Sequence, residues 1–85
     1  MGYRIYLKPA ARRDLHALPR ETLKRVDAKI LSLADQPRPM GAEKLAGENS
    51  ALRVRVGDYR ILYIVDDARA EILVTRIRHR REVYR

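Results

Sequence analysis

Leu52-Arg53-Val54-Arg55-Val56-Gly57-Asp58-Tyr59-Arg60-Ile61-Leu62-Tyr63 is the stretch that decides the fold. Two runs with strand chemistry flank Gly57-Asp58. A two-residue loop with Gly in first place is the mark of a type II′ hairpin, because that position needs a positive φ. With that loop, Val56 faces Tyr59, Arg55 faces Arg60, Val54 faces Ile61 and Arg53 faces Leu62. Alternation then sets Arg53, Arg55 and Arg60 on one face and Val54, Val56, Tyr59, Ile61 and Tyr63 on the other. The second set is a core face. The first opposes like charges across a ladder, which is destabilising on its own. It makes better sense if an anion sits between them, and phosphate fits because guanidinium forks grip it bidentately.

Working outward from the hairpin, Ile64 and Val65 continue the second strand to a connection at Asp66-Asp67-Ala68-Arg69. Glu71 to Ile77 then reads as the last strand, with Ile72 and Val74 on one face and Leu73, Thr75 and Ile77 on the other. Apolar on both sides, it belongs inside a sheet. Upstream, Tyr3 to Leu7 alternates as a short strand, and Pro9 stops it and opens a helix. Ala10 to Leu18 carries Ala11, Leu15 and Leu18 on one stripe, with His16 off it on the solvent side. Pro19 separates this from a longer helix, Arg20 to about Asp35, where Leu23, Val26, Ile30 and Leu33 recur at helical steps. Pro37-Arg38-Pro39-Met40-Gly41 ends that helix, and the stretch through Ser50 reads as a loop with Leu45 tucked inward. The expected architecture is α+β: an N-terminal strand, a helical hairpin, then a three-stranded antiparallel meander, forming one small sheet packed on the two helices. Residues 1–85 make a single domain with room for one core.

The net charge is +8, and it is spread along the chain: 10 of the 19 Lys/Arg and 6 of the 11 Asp/Glu lie in residues 1–50. The kind of cation differs, however. All four lysines lie in that first part, and every cation from Arg53 onward is Arg, the residue suited to planar contacts with phosphate or base. The helix cations, Lys24, Arg25 and Lys29 among them, read as a solvated face. With no Cys there is no disulfide framework or thiolate metal site, and His16 and His79 are too few for a protein-built one. No metal and no cofactor is expected. There is no apolar run long enough for a membrane span and no secretory leader pattern, so the expected compartment is the cytoplasm, with no membrane partner.

The C-terminal stretch Arg76-Ile-Arg-His-Arg-Arg-Glu-Val-Tyr-Arg85 holds five arginines, one His and one Tyr against a single Glu. It begins inside an apolar strand, which anchors it. A Tyr among arginines suits single-stranded nucleic acid, where bases stack on rings and guanidinium planes.

Taken together, the Leu52–Tyr63 hairpin, the Arg-His-Arg-Arg-Glu-Val-Tyr tail, the Leu18-Pro19 between the helices and Lys44-Leu45-Ala-Gly47 resemble the RelE branch of the RelE/ParE toxins of bacterial toxin–antitoxin systems. The resemblance covers nearly the whole chain. It implies a ribosome-dependent, metal-independent endoribonuclease that cuts messenger RNA by attack of the ribose 2′-OH on the adjacent phosphate, leaving a 2′,3′-cyclic phosphate and a free 5′-OH. It also implies two partners, the ribosome with its mRNA and a cognate antitoxin whose acidic or amphipathic segment covers the basic groove, and no DNA binding by the toxin alone. Arg60 matches the family arginine on the scissile phosphate, Tyr84 the tyrosine that packs on the substrate, and Arg80, or with a shifted gap Arg78, the tail arginine that is a candidate acid. Arg78 and Arg81 add to the phosphate-binding set. Arg53 and Arg55 stand where the family often has lysines. Arg stays charged where a crowded Lys can lose its proton, so these two are electrostatic only and the general base is open between His79 and Tyr84. Two other readings carry weight: a ParE-like toxin that poisons DNA gyrase, and a member that binds RNA and antitoxin without catalysis.

Overall fold

The computed structural model describes residues 2–45 and 51–83. Its elements run β1 (Arg4–Leu7), α1 (Pro9–His16), α2 (Arg20–Ser32), β2 (Glu43–Lys44), β3 (Ala51–Val56), β4 (Tyr59–Asp66), β5 (Glu71–His79) and α3 (Arg80–Val83). The strands form one sheet in the order β1-β5-β4-β3-β2. β3, β4 and β5 are the expected antiparallel meander. β1 returns beside β5 in parallel, Ile5 opposite Ile72 and Leu7 opposite Val74, which leaves β5 in the interior as its two-sided apolarity requires.

The hairpin register is the expected one at every pair from Val56↔Tyr59 to Arg53↔Leu62. Gly57 turns at φ +58° while Asp58 is not in the positive-φ region, which is the type II′ pattern. One side of the sheet packs Val54, Ile61, Tyr63, Val65, Ile72 and Val74 against Ala11, Val26, Ile30 and Leu33 of the helical layer, with Leu15, Leu18, Val56 and Tyr59 partly buried around them.

Two departures from the sequence reading reshape the molecule. The segment after α2 is not loop throughout: Glu43–Lys44 adds a short edge strand, Glu43 opposite Arg53 and Lys44 opposite Leu52. Two residues carry too little period-2 pattern to announce a strand, and this one exists because β3 offers a free edge. The second departure is a bulge in β5. Tyr63 faces Val74 but Leu62 faces Arg76, so Thr75 is an extra residue on β5, and its hydroxyl donates to Leu62 O at 3.1 Å. Ile77 therefore joins Ile72 and Val74 in the core, 4% exposed, instead of lying on the opposite face. The alternation beyond the bulge is inverted, which re-aims the arginines that follow.

Where β1 ends, α1 takes over the edge of β5. Asp14 accepts the Ile77 backbone N–H at 3.0 Å and Arg76 Nε and Nη2 at 2.7 and 3.2 Å, so the open edge is closed by a side chain rather than another strand. At the other end Tyr63 donates to Pro37 O at 2.7 Å, and Arg38 and Tyr3 converge on Asp67, tying the chain after α2 to the β4–β5 turn. Burial pushes the Tyr63 phenol up.

Candidate nucleic-acid interface

The bulge brings Arg78 directly opposite Arg60, and the hairpin brings Arg55 opposite Arg60 from the other side. The result is a row of three arginines across β3, β4 and β5 on the face turned away from the core. Arg60, in the middle, is 7% exposed, the one charged residue buried among those described. Arg55 at the outer end is exposed, its Nε donating to Gly57 O at 3.4 Å. Arg53 lies one step along β3, held by Glu43 Oε1 on β2 at 3.0 Å. The added edge strand thus positions a phosphate-binding candidate that sequence reasoning left unsupported.

Arg53, Arg55 and Arg60 line a cleft of about 370 Å³ whose other walls are Met40, Gly41 and Glu43 from the segment around β2, and Lys29 from α2. Lys29 is the functional candidate that the sequence reading missed, having been assigned to a solvated helix face. No local signal marks it; only the crossing of α2 over the end of β3 brings it to the cleft.

The tail residues separate. Arg78 stays with the row, its Nε 3.7 Å from Glu82 Oε2. Arg80 and Arg81 belong to α3 and are exposed; Arg80 donates its backbone N–H to Asp58 O at 2.7 Å and pairs with the Asp58 carboxylate at 3.7 Å, docking the helix on the hairpin turn. His79 pairs with Tyr59, so it lies on the side opposite Arg60 and Arg78. Its ring meets Tyr59 edge-on at 5.1 Å, and Nδ1 accepts the Arg81 backbone N–H at 3.2 Å. Among the sequence candidates, then, Arg53, Arg55, Arg60 and Arg78 come together, while His79, Arg80 and Arg81 do not join that row. Tyr84 lies outside the described residues.

Chemically, such a row offers permanent cations at a fixed spacing with planar donor forks, a set that binds a phosphodiester and stabilises charge developing on it. Comparison with known proteins places this small α+β sheet among compact toxins. Residues 5–84 match the sequence model of the family described as ParE toxin of type II toxin–antitoxin system, parDE. The chain is 37% identical over 89 residues to Toxin RelG of Mycobacterium tuberculosis (strain ATCC 25618 / H37Rv), covering 100% of this chain and 99% of that protein. Among solved structures, the toxin–antitoxin complex RelBE2 from Mycobacterium tuberculosis superposes with a TM-score of 0.82 at 31% identity, covering 93% of this chain and 99% of that one. The archaeal RelE–RelB complex from Pyrococcus horikoshii OT3 gives 0.80 at 25% identity, covering 94% and 97%. The chain belongs to the RelE/ParE superfamily of type II toxins, and within it to the RelE family.

Proposed function

We propose that the protein is a ribosome-dependent endoribonuclease that cleaves mRNA without a metal, acting in the cytoplasm, inhibiting translation and silenced by a cognate antitoxin. The observation that carries this reading is the Arg55–Arg60–Arg78 row. In the reaction the ribose 2′-oxygen attacks the adjacent phosphorus in line, the bond from phosphorus to the 5′-oxygen breaks, one proton leaves the 2′-OH and one reaches the departing oxygen. Charge builds on the non-bridging oxygens, and pre-placed cations there lower the barrier without reorganising. Arg60 holds the scissile phosphate from the middle of the row, with Arg53 and Arg55 on the β3 side.

Arg78, rather than Arg80, is the tail arginine placed to reach the same phosphate, because it is the direct partner of Arg60. Arg80 is engaged with the hairpin turn. Arg80 and Arg81, on the exposed side of α3, serve the flanking strand. Tyr84 packs on the substrate and is the remaining candidate for the base. His79 positions α3 by accepting the Arg81 N–H at Nδ1, which occupies that lone pair.

The antitoxin reading draws on the RelE–RelB complexes among the similar structures and on the basic surface, which an acidic or amphipathic segment would neutralise. The test is brief induction in a bacterium lacking the antitoxin, with 5′ ends mapped on a translated message and on an untranslated copy. Cuts inside codons on the translated copy alone are expected. The matching family is described as ParE toxin, and a ParE-like toxin that poisons DNA gyrase is the second reading; growth arrest with an SOS response and no such cuts would select it.

A further inference from the structure

We propose that the phosphate-binding surface does not end at the hairpin but continues over α2 as a trough in which Arg25 and Lys29 bind the next phosphates of a single-stranded RNA. This rests on the reading of the arginine row as a phosphate site and extends it to a second subsite. Two clefts meet at the hairpin. The first holds Arg53, Arg55, Arg60 and Lys29. The second, open groove holds Arg25, Lys29 and Arg55 beside Gly57 and Ser32. Arg55 and Lys29 line both, so the two clefts adjoin and together present five cations. Among the described residues lining them, the only carboxylate is Glu43, which is engaged with Arg53.

Arg25 and Lys29 are four residues apart on α2, hence on one face and about 6 Å apart along the helix axis. The Arg25 guanidinium lies over the hairpin turn: a Cβ on Gly57 would stand 3.3 Å from its Nη2. The turn and the helix therefore hold a cation between them, next to Arg55, where the sequence alone suggests only a solvated helix. Cations spaced in this way along a trough match the repeating charge of a phosphodiester chain, and each phosphate neutralised releases counterions.

The test uses the full chain and 2′-O-methyl oligouridylates, which resist this cleavage, read by fluorescence anisotropy across a salt series. A trinucleotide fills the arginine row; an oligomer of about a dozen residues fills the trough as well. For the Arg25→Gln/Lys29→Gln double variant, we expect the salt slope for the long oligomer to fall by about 1.4, at about 0.7 for each phosphate that is no longer neutralised, and for Arg25→Gln alone, which leaves the first cleft whole, by about 0.7 with trinucleotide binding unchanged. Lys29→Arg, tested alone, should retain the wild-type slope. Arg60→Gln should weaken both ligands. A double variant with the wild-type slope, while Arg60→Gln still loses binding, overturns the trough and leaves the arginine row standing. Loss of an acidic-peptide complex in the double variant with RNA binding intact would also overturn it, assigning the groove to a protein. Wild-type protein that binds neither oligomer in a salt-dependent way removes the arginine row and the trough together.

Discussion

Arg55 and Arg60 are direct partners across β3 and β4, so two permanent cations face each other on a ladder in which one of them is 7% exposed. Such a pair costs stability, and under the proposed function that cost is a trade for anion binding. Arg55→Thr, which keeps strand propensity and removes the repulsion, is expected to raise stability by about half a kcal/mol, or about 2–4 °C in Tm. Added salt should stabilise wild type more than the variant. The same substitution should weaken RNA binding with a shallower salt dependence. Thermal melts at low and high salt beside binding isotherms check both halves. Equal melting temperatures at low salt would contradict the repulsion.

The β5 bulge predicts a difference between two arginines only two residues apart. Arg78 faces Arg60, whereas Arg80 sits on α3 against Asp58. Arg78→Gln is expected to lower cleavage on the ribosome by about a hundredfold, on the scale of losing one transition-state donor, as is Arg60→Gln. Arg80→Gln should cost under tenfold. Single-turnover cleavage of a programmed ribosome separates them, and a larger loss at Arg80 would reverse the assignment.

Why one assignment was legible and the other was not is a matter of range. The hairpin register follows from Gly57 and local alternation, and the two helices follow from their prolines and apolar stripes, so the core side and the Arg53, Arg55, Arg60 set were readable directly. The bulge at Thr75 depends on how β5 meets Leu62 across the sheet, and no residue there announces it; a strict alternation places Ile77 and the following arginines on the wrong sides. Lys29 is further still from local reading, because its place in the cleft depends on the packing of α2 over β3. The short β2 likewise depends on a partner strand.

His79 is the residue whose role changes most between sequence and structure. With the ring against Tyr59 and Nδ1 taken by Arg81 N–H, it is a positioning residue for α3. His79→Gln is expected to lower cleavage by less than tenfold and to leave the shape of the pH–rate profile unchanged, whereas removal of a general base costs 10²- to 10⁴-fold, on the order typical of proton-transfer catalysis. Rates for wild type and variant across about pH 5 to 9 decide it. A loss in that larger range with a flattened acid limb would return His79 to the chemistry.

Asp14 fixes the edge of β5 just before the strand end that carries Arg78, and its titration contributes to how the fold responds to acid. Burial works to raise its carboxyl, but the hydrogen bonds from Arg76 and the Ile77 N–H, with the Arg76 charge, outweigh it, and the group lies below its ordinary value of 3.8. A carboxyl depressed in the folded state contributes stability above its unfolded pKa and loses that contribution as pH falls through the folded one. The stabilisation is therefore complete at neutral pH and fades below about pH 4. Asp14→Ala strands the Ile77 N–H and the Arg76 guanidinium, and should cost about 2 kcal/mol at pH 7. Urea unfolding at pH 7 and at about pH 3 checks the sign: the gap between wild type and variant should narrow at the lower pH. A gap that stays constant would show that the carboxylate charge contributes nothing and that only packing at the edge was lost.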